Sequence, residues 1–150
     1  MTRFLQTDRS WILLLQRIAL GGVVLPHGLQ KAFGWFGGGG IDGTLAFFDT
    51  LGVPGPLGAL VILAESAGAL ALIAGLFTRL AAAGVLATML GAILLVHLPH
   101  GFFMNWFGAK AGEGYELHLL AIALAIPLVL RGGGLGSADG WLARTIHRIP

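Results

Sequence analysis

Four apolar runs, residues 11–33, 57–77, 80–98 and 115–130, constrain this chain more than any other feature. Crossing the hydrocarbon core of a bilayer takes roughly 20 mostly apolar residues, and each run is near that length. An amphipathic helix of a soluble domain would interrupt such runs about every second turn. The surface that a soluble domain needs is also missing: 11% of the residues are charged, against about 25% in soluble domains. The reading is all-α, an integral membrane four-helix bundle with short interfacial helices, forming a single domain over residues 1–150.

Several function classes drop out at once. A formal net charge of +2 gives a nucleic-acid partner no support. Cysteine is absent, so this chain alone holds no disulfide framework and no thiol redox centre. The first apolar run is long, contains Gln16 and Arg17, and lacks a small-x-small cleavage site. It reads as a retained span and not as a signal peptide.

Basic residues in the short connections orient the spans. Arg3, Arg9, Arg79, Arg131, Arg144 and Arg148 fall on one side, and Lys31 and Lys110 on the other. By the positive-inside rule both termini are cytoplasmic. The two long connections then lie outside. The first runs through GWFGGGG, residues 34–40, into IDGTLAFFDTLG, where Ile41, Leu45 and Phe48 share one helical face; this predicts a short interfacial helix. VPGP ends it. The second, PHGFFMNWFGAKAGEG, is aromatic and suits an interface or a lid. A last helix, ADGWLARTIHRI, starts after Ser137 as a cap; Trp141, Leu142 and Ile146 face lipid while Arg144 and Arg148 meet anionic headgroups. Small residues four apart, such as Ala64–Gly68 and Ala83–Ala87, are spaced for close helix packing.

Ionisable residues inside the apolar runs are expensive and demand partners. In LVILAESAGALALIAGLF, residues 60–77, Glu65 lies roughly 12 Å in from Leu57 at about 1.5 Å per residue. His27 and Lys31 lie near the outer end of the first span, and His97 near that of the third. Glu116 and His118 occupy the first turn of the fourth. Arg17 alone lies in the inner half. Residues from all four spans therefore reach one layer. Depth makes His27 the nearest base to Glu65, with His97 and Lys31 further out and Arg17 further in.

Each of these residues also has a structural reading. Glu65 can pin the bundle through an ion pair. His27 can satisfy carbonyls freed at Pro26. His97 and His118 can sit wet at the interface, and Lys31 can snorkel to headgroups. Arg17 can snorkel inward or pair within the bundle.

Three chemistries fit the cluster. One is a pocket for a quinone or another lipid-soluble ligand: histidine or lysine donates to a carbonyl oxygen while a carboxylate handles the proton. Glu65 and His27 are then the candidate catalytic residues, and Lys31, His97, Glu116, His118 and Arg17 the candidate ligand-binding ones. The second is a metal or haem site. Pro99 disturbs the geometry of His97 and His100, and Glu116 and His118 do not share a helix face, so no metal or haem is expected. The third is a scaffold or a lipid- or cargo-binding module whose buried charges only hold the bundle together.

RIALGGVVLPHGLQKAFG resembles the first span of the DoxX family. AESAGALALIAGLFTRLAAAGVLATMLGAI is similar to that family's second and third spans, with the glutamate and a G-x-x-T-R-x-A turn. HGFFMNWFGAKAGEGYELHLL is similar to its outer loop and G-E entry to the fourth span, where the glutamate maps to Glu113 or Glu116. GGGLGSAD resembles its closing G-x-G-x-x-S-x-D. The resemblance covers about residues 13–142. It implies a multi-pass protein of the bacterial inner membrane, associated with oxidoreduction. A quinone-linked oxidoreductase component is the enzymatic form of that expectation, with a redox protein partner or a second copy of the chain beside membrane lipids.

The arginine bias makes a topological prediction. Alkaline phosphatase, active only outside the cytoplasm, should work when fused within residues 34–40 and stay silent when fused after residue 150. The reverse pattern would invert the molecule and dissolve the single outer layer of polar groups.

Overall fold

The computed structural model describes residues 2–146. Arg148, counted above with the inner charges, lies outside the described residues, as does the side chain of Arg3. The described chain is all-helical. A short helix α1 (Thr2–Leu5) precedes α2 (Trp11–Phe33), whose N-terminus is capped by Ser10 Oγ accepting from the Leu13 amide at 3.4 Å. Gly34, at φ 71°, ends α2 in the left-handed region that glycine adopts without strain. A single 3₁₀ turn leads to α3 (Gly40–Thr50).

The second apolar run is two helices, α4 (Gly55–Glu65) and α5 (Ala67–Ala74). Ser66 breaks the run at ψ −79°, and its hydroxyl donates back to the Ile62 carbonyl at 2.6 Å. That carbonyl also accepts from the Ser66 amide at 3.0 Å, and such back-bonding bends helices. Helix α6 (Thr78–Ala92) continues through a π turn (Ile93–His97) and a 3₁₀ turn (Leu98–His100). After the aromatic loop come α7 (Glu116–Arg131) and α8 (Ala138–Ile146).

Three helical stretches, Trp11–Phe33, Gly55–Ala74 and Thr78–His100, are long and apolar enough to cross a membrane. Helix α7, at 16 residues, is shorter and packs along α6 and α2. The core is narrow: Leu13, Leu20 and Val24 of α2 meet Ala69, Leu72, Ala82, Val85, Ala125 and Leu128. Large apolar side chains crowd the outside instead, among them Leu60, Leu63, Leu70, Leu80, Leu94 and Leu120. A water-soluble monomer rarely exposes contiguous apolar surface on this scale, whereas a bilayer solvates it.

The helices run alternately up and down, and α2 meets the second span at backbone distance. A Cβ built on Gly21 would stand 2.8 Å from the Ala69 carbonyl oxygen, and one built on Gly28 would overlap the carbonyl of Glu65. Glycine lets two backbones approach this closely where hydrocarbon offers no hydrophobic drive between helices. At the far side of α4, Leu45 and Phe48 of α3 fill the space over Gly58. Helix α3 therefore covers one end of the bundle.

Gly28→Ala should destabilise the protein by about 1–3 kcal/mol through overpacking, a drop of several degrees in Tm in detergent. Gly22→Ala, whose added Cβ meets nothing within 4 Å, should leave Tm unchanged. Equal effects in the two variants would refute the close contact.

Candidate functional site

The chain cannot leave a carboxylate bare beside hydrocarbon, and the Gly28 contact decides its partner. Because α2 touches the backbone of Glu65 at Gly28, a residue three positions on shares the contacting face. That residue is Lys31. Its Nζ donates to Glu65 Oε2 at 2.5 Å, and the Glu65 side chain is 5% exposed against 27% for Lys31. His27, favoured by depth, lies about 100° round the helix from Gly28 and is exposed. Depth along an axis ranks candidates; rotation about it selects one. Among the described residues His27 makes no hydrogen bond to protein.

The Lys31 end carries a second group. The rings of His97 and His118 lie 4.1 Å apart, bringing α6 and α7 together. His97 Nδ1 meets the Glu113 carbonyl oxygen at 2.8 Å, whereas His118 Nδ1 is shielded from solvent and has no partner. His97, His27 and Lys31 all stand within electrostatic range of His118. Beside Lys31, a cavity of about 230 Å³ opens under α3, lined by Lys31, Gly39, Gly43, Thr44, Phe47 and Phe48. Five of the sequence candidates, His27, Lys31, Glu65, His97 and His118, thus gather at one end. Among the described residues no three histidine or carboxylate side chains converge as a metal would require.

Glu116 is drawn elsewhere. Its Oε1 accepts from the Met104 amide at 3.0 Å, and Glu113 Oε2 accepts from the Asn105 amide at 2.7 Å. Both acids organise the aromatic loop. Lys110 completes it, with Nζ donating to the Phe103 carbonyl at 2.9 Å and lying over the Phe103 ring.

Arg17 sits at the opposite end, about 21 Å along α2 from Lys31 at 1.5 Å per residue. It is 3% exposed and spends its donors on backbone carbonyls. Nε bonds Gly133 at 2.8 Å, Nη1 bonds Leu72 at 3.2 Å and Ile73, and Nη2 bonds Leu135 at 3.3 Å and Gly136 at 3.1 Å. It is neither a snorkelling side chain nor a counter-charge for Glu65: the C-terminal carbonyls of α5 and the 133–136 turn consume it.

Asp139 is the residue that sequence reasoning passed over, although it closes the G-x-G-x-x-S-x-D pattern. It is 2% exposed, and its two oxygens accept from the Phe77 and Thr78 amides at 2.7 and 2.8 Å. These are orphan donors at the start of α6, which favour a negative charge. The usual N-cap signal was absent because the cap comes from another helix.

The sequence model of the DoxX family matches residues 12–98. That stretch holds Arg17, His27, Lys31, Glu65 and His97; Glu116, His118 and Asp139 lie beyond it. A Bacillus subtilis (strain 168) protein named "Putative oxidoreductase CatD" is 32% identical over 113 residues, covering 75% of this chain and 76% of that protein. No solved structure matches.

The ion pair generates a double-mutant prediction. Lys31→Met strands the carboxylate and should cost on the order of 3 kcal/mol, the low end for a broken buried pair because Lys31 keeps some solvent. Glu65→Gln should cost less. The double variant Lys31→Met/Glu65→Gln should regain most of the loss, read as Tm in detergent. Additive losses would mean that the two side chains do not pair.

Proposed function

The chain belongs to the DoxX family of membrane proteins, and we propose that within it this protein binds a quinone or similar lipid-soluble ligand at the Lys31–Glu65 end and serves a membrane redox system. The observation that carries the reading is the buried ion pair whose lysine borders a mostly apolar cavity. Among the described residues Lys31 is the cation that lines the cavity, together with the aromatic Phe47 and Phe48. At about 230 Å³ the space suits a quinone ring and not its tail, since whole ligand pockets run from about 300 Å³ upward. The tail would lie along the exposed apolar faces of the helices.

Quinone reduction adds electrons and protons together. A lysine ammonium stabilises charge developing on a quinone oxygen. Glu65, joined to it by a hydrogen bond, is placed to receive or return the proton. The unpartnered Nδ1 of His118 supplies a further hydrogen-bonding group at this end. Electrons would come from a partner protein, as the chain has no cysteine and the described residues offer no metal ligand set. The name of the Bacillus relative, an oxidoreductase, supports the redox half of the reading.

In this reading α7 is a fourth span, about 24 Å long at 1.5 Å per residue, with the aromatic loop 101–115 sinking to meet its start. The protein lies in the inner membrane of a bacterium with both termini in the cytoplasm and the Lys31–Glu65 end outward. The scaffold reading draws its support from Arg17, whose hydrogen-bond donors are all taken up by backbone carbonyls.

Quinone content tests the proposal. Protein purified in mild detergent should carry quinone enriched toward one per chain over the bulk membrane extract, by mass spectrometry. The Lys31→Met/Glu65→Gln protein should keep its fold and lose most of that quinone. Wild-type protein with no enrichment, or a double variant that retains the full load, would reject it.

A further inference from the structure

A cavity of about 620 Å³ lies at the opposite end of the bundle from Lys31 and Glu65. It is a groove between the N-terminal segment, the 134–137 turn and α8. Among the described residues Arg9, Arg79 and Arg144 line it, against one acid, Asp8. Asp8 is directed to Arg131, at 3.8 Å, and Arg131 is not part of the groove wall.

The three arginines are in different states. Arg79 is fixed: Nη1 donates to the Val129 and Leu130 carbonyls at 2.7 and 2.5 Å, and Nη2 to the Gln6 carbonyl at 3.1 Å. Neutral carbonyls leave its charge uncompensated, and its shielded Nε has no partner. Arg9 and Arg144 are exposed, and among the described residues neither guanidinium meets an acid or a carbonyl. One anchored and two unengaged guanidinium groups around a single cavity constitute a receptor for an oxyanion, since the guanidinium fork matches phosphate geometry.

The surroundings identify the anion's carrier. Leu80 beside Arg79 is 64% exposed, Leu130 is 67% exposed, and Trp141 on α8 is 61% exposed. A tryptophan so placed marks the headgroup level, and the two leucines offer an apolar path from the groove toward the bilayer. A soluble anion has no use for that path; acyl chains do. We propose that this groove binds the phosphate of an anionic phospholipid, with Arg9 and Arg144 closing on the headgroup and Arg79 as the fixed charge beneath it.

The test is native mass spectrometry of the full chain titrated with phosphatidylglycerol or phosphatidylcholine, each of the same acyl length. One phosphatidylglycerol should bind saturably and more tightly than phosphatidylcholine. Arg9→Gln and Arg144→Gln, both at exposed positions, should keep the helical circular dichroism and each weaken that binding roughly three- to tenfold, the factor expected for one typical hydrogen bond. Lys110→Gln removes the same charge at the other end and should change nothing. Unaltered binding in both arginine variants, equal weakening by Lys110→Gln, or parity of the two lipids would overturn the proposal. So would displacement of the lipid by millimolar inorganic phosphate, which would assign the groove to a soluble anion.

Discussion

Hydrocarbon offers no hydrogen bonds, so every break in a helix inside this bundle must be answered by another part of the chain. Arg17 answers the largest break. The connection from α5 to α6 and the return from α7 to α8 both end near its guanidinium, and both present carbonyls that have left their ladders. One side chain with five donors binds them together. Asp139 does the complementary work for the amides at the start of α6. The two charges stand within electrostatic range of each other, so the burial of each is offset twice: by dipoles around it and by its opposite nearby. What looks from the sequence like a stray cation is the fastening of one whole end.

The other end is built around the Lys31–Glu65 ion pair. The second span yields at Ser66 and lets α2 reach its backbone at Gly28. The same contact brings Lys31 over Glu65. Close packing, a local break and an ion pair are therefore one arrangement. Replacing the glycine would separate the helices and lengthen the ion pair together. Helix α3 then folds over the opening, with Thr44 Oγ1 donating to the Lys31 carbonyl at 3.4 Å, and leaves the small cavity beside the ammonium.

The two ends differ in how their charges are engaged, and this separates structure from function in the molecule. Arg17 and Asp139 are buried and saturated. Glu65 is buried and paired with a lysine that still faces a cavity, and His118 keeps an unpartnered nitrogen. Arg9 and Arg144 are open to the surface. Saturated charges hold a fold, whereas charges with capacity left over can meet something else. This distinction is the support for proposing a ligand at the Lys31 end and a headgroup at the arginine groove.

By itself the sequence determined the class: helices in a membrane, set by the length of the apolar runs and the scarcity of charge, because residue count along an axis and hydrocarbon thickness are both one-dimensional. It also showed that His27, Lys31, His97 and His118 share an end, since depth is counted along the chain. Tertiary structure alone decided which of them Glu65 meets. That choice depends on the rotation of α2 about its axis, set where Gly28 touches the second span. Only the fold could turn Glu116 into the aromatic loop, give Arg17 its carbonyls and bring Asp139 to the amides of α6. The partners of Arg17 and Asp139 lie scores of residues away in the chain and that of Glu116 lies 12 away across a loop, and a hydrogen bond is decided by which backbone groups lose their helical neighbours and come to face one another in space.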